Sequence, residues 1–189
     1  MTDLALQPKT SFLLVIDVQE RLVAAMPVEV AQAVRRTERL IEGATALGIP
    51  VIVTEQYPRG LGPTVASVAE KARAANAVVI EKLEFDASAN AAVHGHLERL
   101  RSEGRTTALV CGLEAHICVY QSVRGLVQQG FRVHIASDAV CSRERANQDL
   151  ARGLYHYAGG IPSSSEVMLF DLVGQAGSVA FKTISKLVR

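Results

Sequence analysis

The sequence predicts one α/β domain, residues 1–189, folded as a Rossmann-like three-layer α/β/α sandwich around a central parallel sheet of about six strands. Short apolar runs rich in β-branched residues alternate with longer amphipathic stretches along the whole chain, which is the pattern of repeated β-α-β units. The amphipathic stretches end at glycines, as helices often do. A length of 189 residues suits one domain, and no linker, repeat or low-complexity segment divides the chain.

Five apolar runs have the length and composition of strands buried in a parallel sheet. Residues 166–170 are a candidate for a sixth strand. The five runs are residues 11–16 (SFLLVI), 49–54 (IPVIVT), 77–80 (AVVI), 107–111 (TALVC) and 131–136 (FRVHIA).

Three amphipathic stretches between the strands predict helices. Each is followed by a glycine of the kind that ends a helix in the left-handed conformation. Because strands and helices alternate, right-handed crossovers are expected to cover both faces of a parallel sheet. The helices are residues 28–47, 88–102 and 118–129, followed by Gly48, Gly104 and Gly130.

Residues 55–64 (EQYPRGLGPT) are rich in glycine and proline. This composition predicts a long loop that leaves the end of the second strand. Loops in that position often line binding sites.

The composition excludes several classes of protein. Hydrophobic residues make up 49% of the chain and charged residues 21%, as in ordinary globular proteins. Twenty basic and nineteen acidic residues leave a formal charge of +1, so no global field favours nucleic acid or an anionic membrane. The N-terminus lacks the apolar stretch of a signal peptide, and no run approaches the roughly 20 apolar residues of a membrane span. We therefore expect a cytoplasmic protein that acts on a small-molecule substrate.

Cys111, Cys118 and Cys141 are the three cysteines of the chain, and none of them forms a CxxC pair. This count argues against a disulfide framework and against a structural zinc site. Reduced thiols are expected. The high apolar share without any tryptophan is compatible with apolar surface buried between subunits, as in obligate homo-oligomers. A homo-oligomer, a dimer or larger, is expected.

Four polar residues come at or just after predicted strand ends: Asp17, Lys82, Cys118 and Asp138. Ligands of open parallel sheets bind at the carboxyl ends of the strands. Cys118 also begins a predicted helix, whose dipole, together with a nearby Lys82 ammonium, is expected to lower the thiol pKa and give a thiolate. A carboxylate, an amine and a thiol are thereby predicted at one edge of the sheet.

Each of these residues also has a structural interpretation. Cys118 is equally a candidate for a small buried hydrophobic residue, the usual fate of a free cysteine. Asp17 can cap the following turn, and a lysine after a strand is usually solvated. Cys111, in mid-strand, is expected to be structural, and Cys141 is a secondary candidate for lining the site.

Metal and nucleotide sites are disfavoured. The histidines give no i, i+4 pair and no HExxH pattern, so no metal and no cofactor are expected. Gly60 and Gly62 resemble the start of a dinucleotide fingerprint, but Pro63 follows them and no tight strand-to-helix turn precedes them.

Three segments carry a resemblance to a known family. IDVQ at residues 16–19, EK at residues 81–82 and GLEAHICV at residues 112–119 resemble the signatures of the isochorismatase-like cysteine hydrolases, which include nicotinamidases and N-carbamoylsarcosine amidohydrolases. The order and spacing fit nearly the whole chain. The stretches TEQYPRGLGPT, SDAVCSR, SSSEVMLFDL and FKTISKLV are similar to the subgroup of isochorismatase domain-containing proteins.

The resemblance implies a catalytic triad of Asp17, Lys82 and Cys118. Cys118 is then the nucleophile, Asp17 the general base and later the acid, and Lys82 the cation that stabilises the thiolate and orients the carboxylate. In such enzymes the peptide bond before the residue at Glu114 is cis, and the backbone N–H groups of Glu114 and Cys118 form the oxyanion hole. The implied reaction attacks an amide-like carbonyl and passes through an acyl-enzyme.

Two departures from the family pattern limit what the resemblance implies. Glu55, Gln56 and Tyr57 stand where nicotinamidases carry a metal-binding aspartate and histidines, so metal-assisted nicotinamide binding is disfavoured. Isochorismatases proper lack the nucleophilic cysteine, so Cys118 argues against cleavage of a vinyl ether. Residues beside the motifs are candidates for substrate binding, with core packing as the alternative for the aromatic ones: Gln19, Tyr57, Phe85, His116 and Tyr120.

A second class of function stays open at this point. The alternative hypothesis is that Cys118 is a low-pKa thiol of a redox-sensitive or binding, oligomeric protein without essential turnover. Both hypotheses need a reactive Cys118, but only the hydrolase needs Asp17 and Lys82 for its activity.

Overall fold

The computed structural model describes residues 4–189 of the chain. Within these residues six strands form one parallel sheet in the order β3-β2-β1-β4-β5-β6. The predicted sheet of about six parallel strands is thus confirmed. The strands are β1 Ser11–Ile16, β2 Val51–Gln56, β3 Val78–Lys82, β4 Thr107–Leu113, β5 Arg132–Cys141 and β6 Ile161–Ser163.

Helices cover both faces of this sheet, which confirms the three-layer architecture. One apolar core contains Leu13 and Val15 of β1 and side chains of α2, α4, α8 and α9. The other contains Phe12, Leu14 and Ile16 and side chains of α5, α6 and α7. Successive β1 residues alternate between the two cores, as expected for a strand buried on both faces. The helices are α1 Glu20–Ala24, α2 Val30–Ala46, α3 Pro58–Leu61, α4 Ala66–Ala74, α5 Ala91–Ser102, α6 Tyr120–Gln128, α7 Arg145–Tyr157, α8 Ser165–Val173 and α9 Val179–Leu187.

Four strands extend past the apolar runs that predict them. β2 continues to Gln56, β3 to Lys82, β4 to Leu113 and β5 to Cys141. Backbone pairing continues there regardless of side-chain polarity, for example between Gln56 and Lys82. The first part of the predicted loop 55–64 is therefore strand, and Pro58–Leu61 of that loop forms a short helix.

The prediction of a strand at residues 166–170 is wrong, since this segment lies within α8. The Ser164 hydroxyl caps α8 by accepting a hydrogen bond from the Val167 N–H, at 3.2 Å. Met168, Leu169 and Leu172 are buried in a helical spacing. The sixth strand is β6, which is only three residues long and contains Pro162; such a strand is tolerated at a sheet edge.

The predicted helix at 118–129 begins later than expected. Residues Ala115–Val119 form a π-helical turn, and α6 follows from Tyr120. Cys118 therefore lies in an irregular turn between β4 and α6. Among the helices of residues 4–189, none has the length and apolar character that crossing a bilayer requires.

Candidate active site

Asp17 follows β1 directly and is fully buried at the carboxyl edge of the sheet. Its φ of 51° is left-handed, a conformation that aspartate and asparagine tolerate better than most residues. The Thr54 hydroxyl donates to Asp17 Oδ1 at 2.7 Å, and the Lys82 ammonium donates to Oδ2 at 2.7 Å. Each oxygen of the buried carboxylate thus has a donor.

Lys82 is the last residue of β3, and its side chain is 0% exposed. Its ammonium group donates to three acceptors: Asp17 Oδ2, Gln56 Oε1 at 2.7 Å and the Glu84 carbonyl at 3.1 Å. An ammonium group has three N–H donors, so all of them are used. Lys82 is held in one position and pairs with Asp17 in a region of low dielectric constant.

Cys118 lies beside this pair and is 6% exposed. Its thiol interacts with the Asp17 carboxyl group. Burial is the main cause that raises the pKa of Cys118 to about 12; the charge of Asp17 adds to the rise, and Lys82 opposes it. The expected resting thiolate is therefore wrong, because desolvation outweighs the attraction of Lys82.

The Asp17 carboxyl group interacts with the Cys118 thiol and can accept its proton. Burial raises the pKa of the Asp17 carboxyl group, while Lys82, Thr54 and Cys118 all oppose this rise by charge or hydrogen bonding. A carboxylate with a raised pKa is a stronger base than an exposed one. The arrangement is that of a protonated thiol beside a buried carboxyl group.

Sequence reasoning missed Thr54 and Gln56. Both belong to β2, where Thr54 pairs with Ile16 and Gln56 pairs with Lys82. Polar residues at the end of the strand neighbouring Asp17 are the signal that could have identified them. Between them they orient both charged groups of the site.

Gln19 supports the same edge of the sheet. Its side-chain amide donates to the carbonyls of Gln56 and Gly62, at 3.0 and 2.6 Å, and its Oε1 accepts from the Gln56 N–H at 2.7 Å. Gln19 is 0% exposed. These contacts give it a supporting role, and a direct contact with substrate stays a prediction.

The peptide bond between Leu113 and Glu114 is cis. The buried Glu114 carboxylate accepts from the Arg143 backbone N–H at 3.0 Å and forms an ion pair with Arg143 Nε at 3.2 Å. This connects the end of β4 to the segment after β5. His116 Nδ1 makes a second connection there, 3.0 Å from Ser142 Oγ.

The predicted aromatic residues occupy different surroundings. Tyr57 is half-exposed and lines a cavity of about 440 Å³ together with Lys82, Glu84 and Asn90. Phe85 is also half-exposed. Tyr120 packs partly against the core and lies 5.6 Å below the Arg124 guanidinium. Of these side chains, Tyr57 has the clearest position to meet a ligand.

Asp138, Cys111 and Cys141 do not join the group of Asp17, Lys82 and Cys118. Asp138 lies within β5, not beyond it, and its carboxylate accepts from the N–H and hydroxyl of Ser165. Cys111 and Cys141 are buried in the core on the opposite face of the sheet from Cys118. In residues 4–189 no three His, Cys, Asp or Glu side chains are grouped as metal ligands.

Comparisons with known proteins agree with this architecture. A model of the isochorismatase domain matches residues 11–167. The chain is 34% identical over 183 residues to the secreted isochorismatase effector Isc1 of Phytophthora sojae, covering 96% of this chain and 86% of that protein. It is 36% identical over 189 residues to isochorismatase domain-containing protein 2 of Pongo abelii, covering 96% and 84%.

Two solved structures are similar along almost the whole chain. The structure titled MAR1 ribonuclease from Caenorhabditis elegans is 31% identical, with a TM-score of 0.87, covering 97% of this chain and 92% of that one. The YcaC gene product of Escherichia coli, described as an octameric hydrolase of unknown specificity, is 16% identical with a TM-score of 0.86, covering 99% and 92%; this second likeness concerns the fold alone. With the domain match and these relatives, the chain belongs to the isochorismatase family of hydrolases.

Proposed function

We propose that the protein is a cysteine-dependent hydrolase that cleaves an amide-like or related C–N bond of a small molecule through the triad Cys118, Asp17 and Lys82. The observation that carries this proposal is the Asp17 carboxylate. Its oxygens accept hydrogen bonds from the Thr54 hydroxyl and the Lys82 ammonium, at 2.7 Å each, and the same carboxyl group interacts with the Cys118 thiol. A base held in one orientation beside a buried nucleophile supports nucleophilic catalysis.

In the proposed reaction Asp17 accepts the thiol proton while Cys118 Sγ attacks the carbonyl carbon. The oxygen becomes an oxyanion, for which the backbone N–H groups of Glu114 and Cys118 are the proposed donors. The protonated Asp17 then gives its proton to the leaving nitrogen, the C–N bond breaks, and a thioester remains on Cys118. Water, deprotonated by Asp17, hydrolyses the thioester and restores the thiol.

The protonated resting thiol favours this reaction over the redox alternative. A redox-sensing cysteine is typically exposed and has a lowered pKa, whereas Cys118 is buried and its pKa is raised to about 12. Such a thiol becomes nucleophilic when a base removes its proton during attack. In the proposed hydrolase Asp17 is that base. The redox role would not require a carboxylate beside the thiol.

The proposed substrate is small, with Tyr57 and Phe85 as proposed contacts at the site entrance and His116 and Tyr120 as further candidates. The cavity beside Lys82, about 440 Å³, is in the range of small-molecule sites; of the proposed triad, Lys82 alone lines it. One relative is titled a ribonuclease, so RNA is the appropriate competing substrate in any test.

The predicted homo-oligomer and cytoplasmic location also stay predictions. Large apolar side chains are exposed on several helices, which supports burial between copies of the chain; they include Leu150, Tyr157, Val167 and Val179. All three cysteines are free thiols, as the cytoplasmic hypothesis expects.

The test is ammonia release from a panel of small amides, carbamoyl compounds and ureides, with a short RNA as the competing substrate. We expect the wild-type protein to release ammonia from one class of panel compound and Cys118→Ala to release none. Cys118→Ala is a mild change for a small buried side chain, so its melting temperature checks that the fold is kept. Cleavage of the RNA without ammonia release from any panel compound would contradict the proposal.

A further inference from the structure

A second cavity, of about 340 Å³, lies at the carboxyl end of β5 between the N-terminal halves of α2 and α7. Its volume is within the range of small-molecule sites. Asp17, Lys82 and Cys118 are not among the residues that line it. This cavity is therefore separate from those three residues, although both lie at the edge of the sheet where ligands of parallel α/β folds bind.

Four arginines line this cavity: Arg36 from α2, Arg143 from the segment after β5, and Arg145 and Arg152 from α7. Arg143 is held by the buried Glu114. The planar guanidinium group presents a fork of N–H donors that matches the oxygens of phosphates and carboxylates. Arginines that converge from three segments on one cavity form an arrangement suited to an oxyanion.

The acidic residues of the cavity only partly satisfy these arginines. Arg36 Nε lies 3.6 Å from Asp138, and Arg145 Nε lies 3.7 Å from Asp149, both longer than a normal hydrogen bond. Arg152 shares the same Asp149, at 3.4 Å. The Asp138 oxygens already accept short bonds from the N–H and hydroxyl of Ser165. Glu29 is the remaining carboxylate of the lining.

The two helices add positive potential in the same place. α2 has 17 residues and α7 has 13; a glutamate precedes each helix, Glu29 and Glu144, but neither glutamate side chain makes a capping hydrogen bond, and neither first turn contains an acidic residue. Helix N-termini carry a partial positive charge that favours anions. Arg145 is the first residue of α7, where a cation is unfavourable for the helix itself. A bound anion would offset this local conflict.

From this convergence we infer that the cavity binds the phosphate group of a small phosphate monoester. The ligand must compete with the Asp149 carboxylate for Arg145 and Arg152. Asp149 carries one negative charge and lies 3.7 and 3.4 Å from these arginines, so a ligand with two negative charges is the class expected to displace it. A phosphate monoester is dianionic above about pH 6. The inference concerns a second site and does not depend on the hydrolase chemistry.

The experiment is isothermal titration calorimetry at pH 8 and constant ionic strength, with methyl phosphate as the dianionic probe and dimethyl phosphate as the monoanionic one. We expect saturable binding of methyl phosphate at one site and weaker binding of dimethyl phosphate. Arg36→Gln and Arg152→Gln are each expected to weaken methyl phosphate binding about tenfold. Arg99→Gln, on the exposed face of α5, is the matched control and is expected to leave it unchanged.

Two further variants separate the possible results. Asp149→Asn removes the competing carboxylate and is expected to tighten binding, a direction that general loss of structure does not produce. Cys118→Ala is expected to bind like wild type, so failure of the hydrolase proposal and failure of this one are distinguishable. Absence of binding in the wild type, equal affinity for the diester, or binding unaffected by both arginine variants would overturn the inference.

Discussion

Cys118 combines a buried thiol with a neighbouring carboxyl group, and its reactivity toward alkylating agents reports this environment. Because burial and Asp17 raise its pKa to about 12, the thiolate fraction at neutral pH is very small. We predict that alkylation of Cys118 by iodoacetamide rises about tenfold per pH unit from pH 7 to 10, measured by peptide mapping. The urea-unfolded chain is the control, in which the rate should level off above the ordinary cysteine pKa of about 8.5. A plateau near neutral pH in the folded protein would contradict the protonated resting state.

Asp17→Asn separates a catalytic role of the carboxylate from a structural one. Asparagine tolerates the left-handed φ of 51°, but it leaves the Lys82 ammonium buried without its ionic partner. Loss of one member of a buried pair costs about 3 kcal/mol or more of unfolding free energy, which urea denaturation measures. Turnover is expected to vanish.

The same variant is expected to make Cys118 more reactive. The Asp17 charge raises the thiol pKa and Lys82 lowers it, so removal of the carboxylate shifts the balance toward the thiolate. Faster alkylation at pH 8 combined with lost turnover is the predicted pair of results. Retained turnover would show that Asp17 is not the base.

At the scale of elements, Gly112 allows β1 and β4 to approach beside Asp17. It pairs with Ile16 and has a φ of 123°, and a Cβ there would collide with the Ile16 backbone. Gly112→Ala is therefore expected to cost about 3 kcal/mol or more of unfolding free energy and to disturb Asp17, the next residue after Ile16.

Gly104→Ala is the matched control for this backbone effect. Gly104 also has a positive φ, 82°, but a Cβ at that position meets nothing within 4 Å. Its substitution should cost only the conformational penalty of an alanine at positive φ, of the order of 1 kcal/mol. Urea denaturation of the two variants side by side measures the difference, and equal losses would contradict a steric role for Gly112.

Most elements could be predicted from the sequence because β-branched runs and terminal glycines are local signals. The strand at 11–16 has its predicted bounds, and Gly48, Gly104 and Gly130 all have a positive φ. Strand ends were missed where pairing with a neighbour continues through polar residues, as at Gln56. The strand prediction for residues 166–170 was wrong because an apolar run is compatible with either a strand or a helix. The hydrogen bond from the Val167 N–H to the Ser164 hydroxyl caps the helix and favours it here.

The candidate site was predictable in its chemistry but not in its electrostatics. The positions of Asp17, Lys82 and Cys118 at strand ends predicted that their side chains come together, and the family resemblance implied the roles proposed for them. The thiol pKa could not be predicted, because it depends on how much solvent the completed fold removes from Cys118. The polar end of β2 is a signal for Thr54 and Gln56 as candidates, but their contacts with Asp17 and Lys82 arise only from the register of β2 with its neighbours, which the sequence does not give.

At the scale of the whole molecule, folding buries His134 of β5 and ties stability to pH. Burial lowers the pKa of His134, the Arg132 charge adds to this, and Asp171 opposes it. Its Nε2 has no hydrogen-bond partner within the part of the chain described. Above the unfolded-state pKa of about 6.5 both states are neutral; as pH falls below it, the unfolded chain binds the proton more readily.

Acid should therefore destabilise the protein through this residue. We predict that unfolding free energy falls between pH 6.5 and 5, with a slope of up to about 1.4 kcal/mol per pH unit from His134. Urea denaturation across this range checks the slope in the wild type and in His134→Gln, which should show a flatter profile. An identical profile in the variant would exclude His134 as the source.

The measurement that tests the central claim most directly is detection of the acyl-enzyme. Wild-type protein is mixed with the panel amide that releases most ammonia, quenched in acid within one turnover and mapped by mass spectrometry, with Asp17→Asn treated in parallel. The account predicts a thioester adduct on Cys118 in the wild type and none in Asp17→Asn. Ammonia release without any adduct on Cys118, or an adduct that forms equally fast in Asp17→Asn, would contradict it.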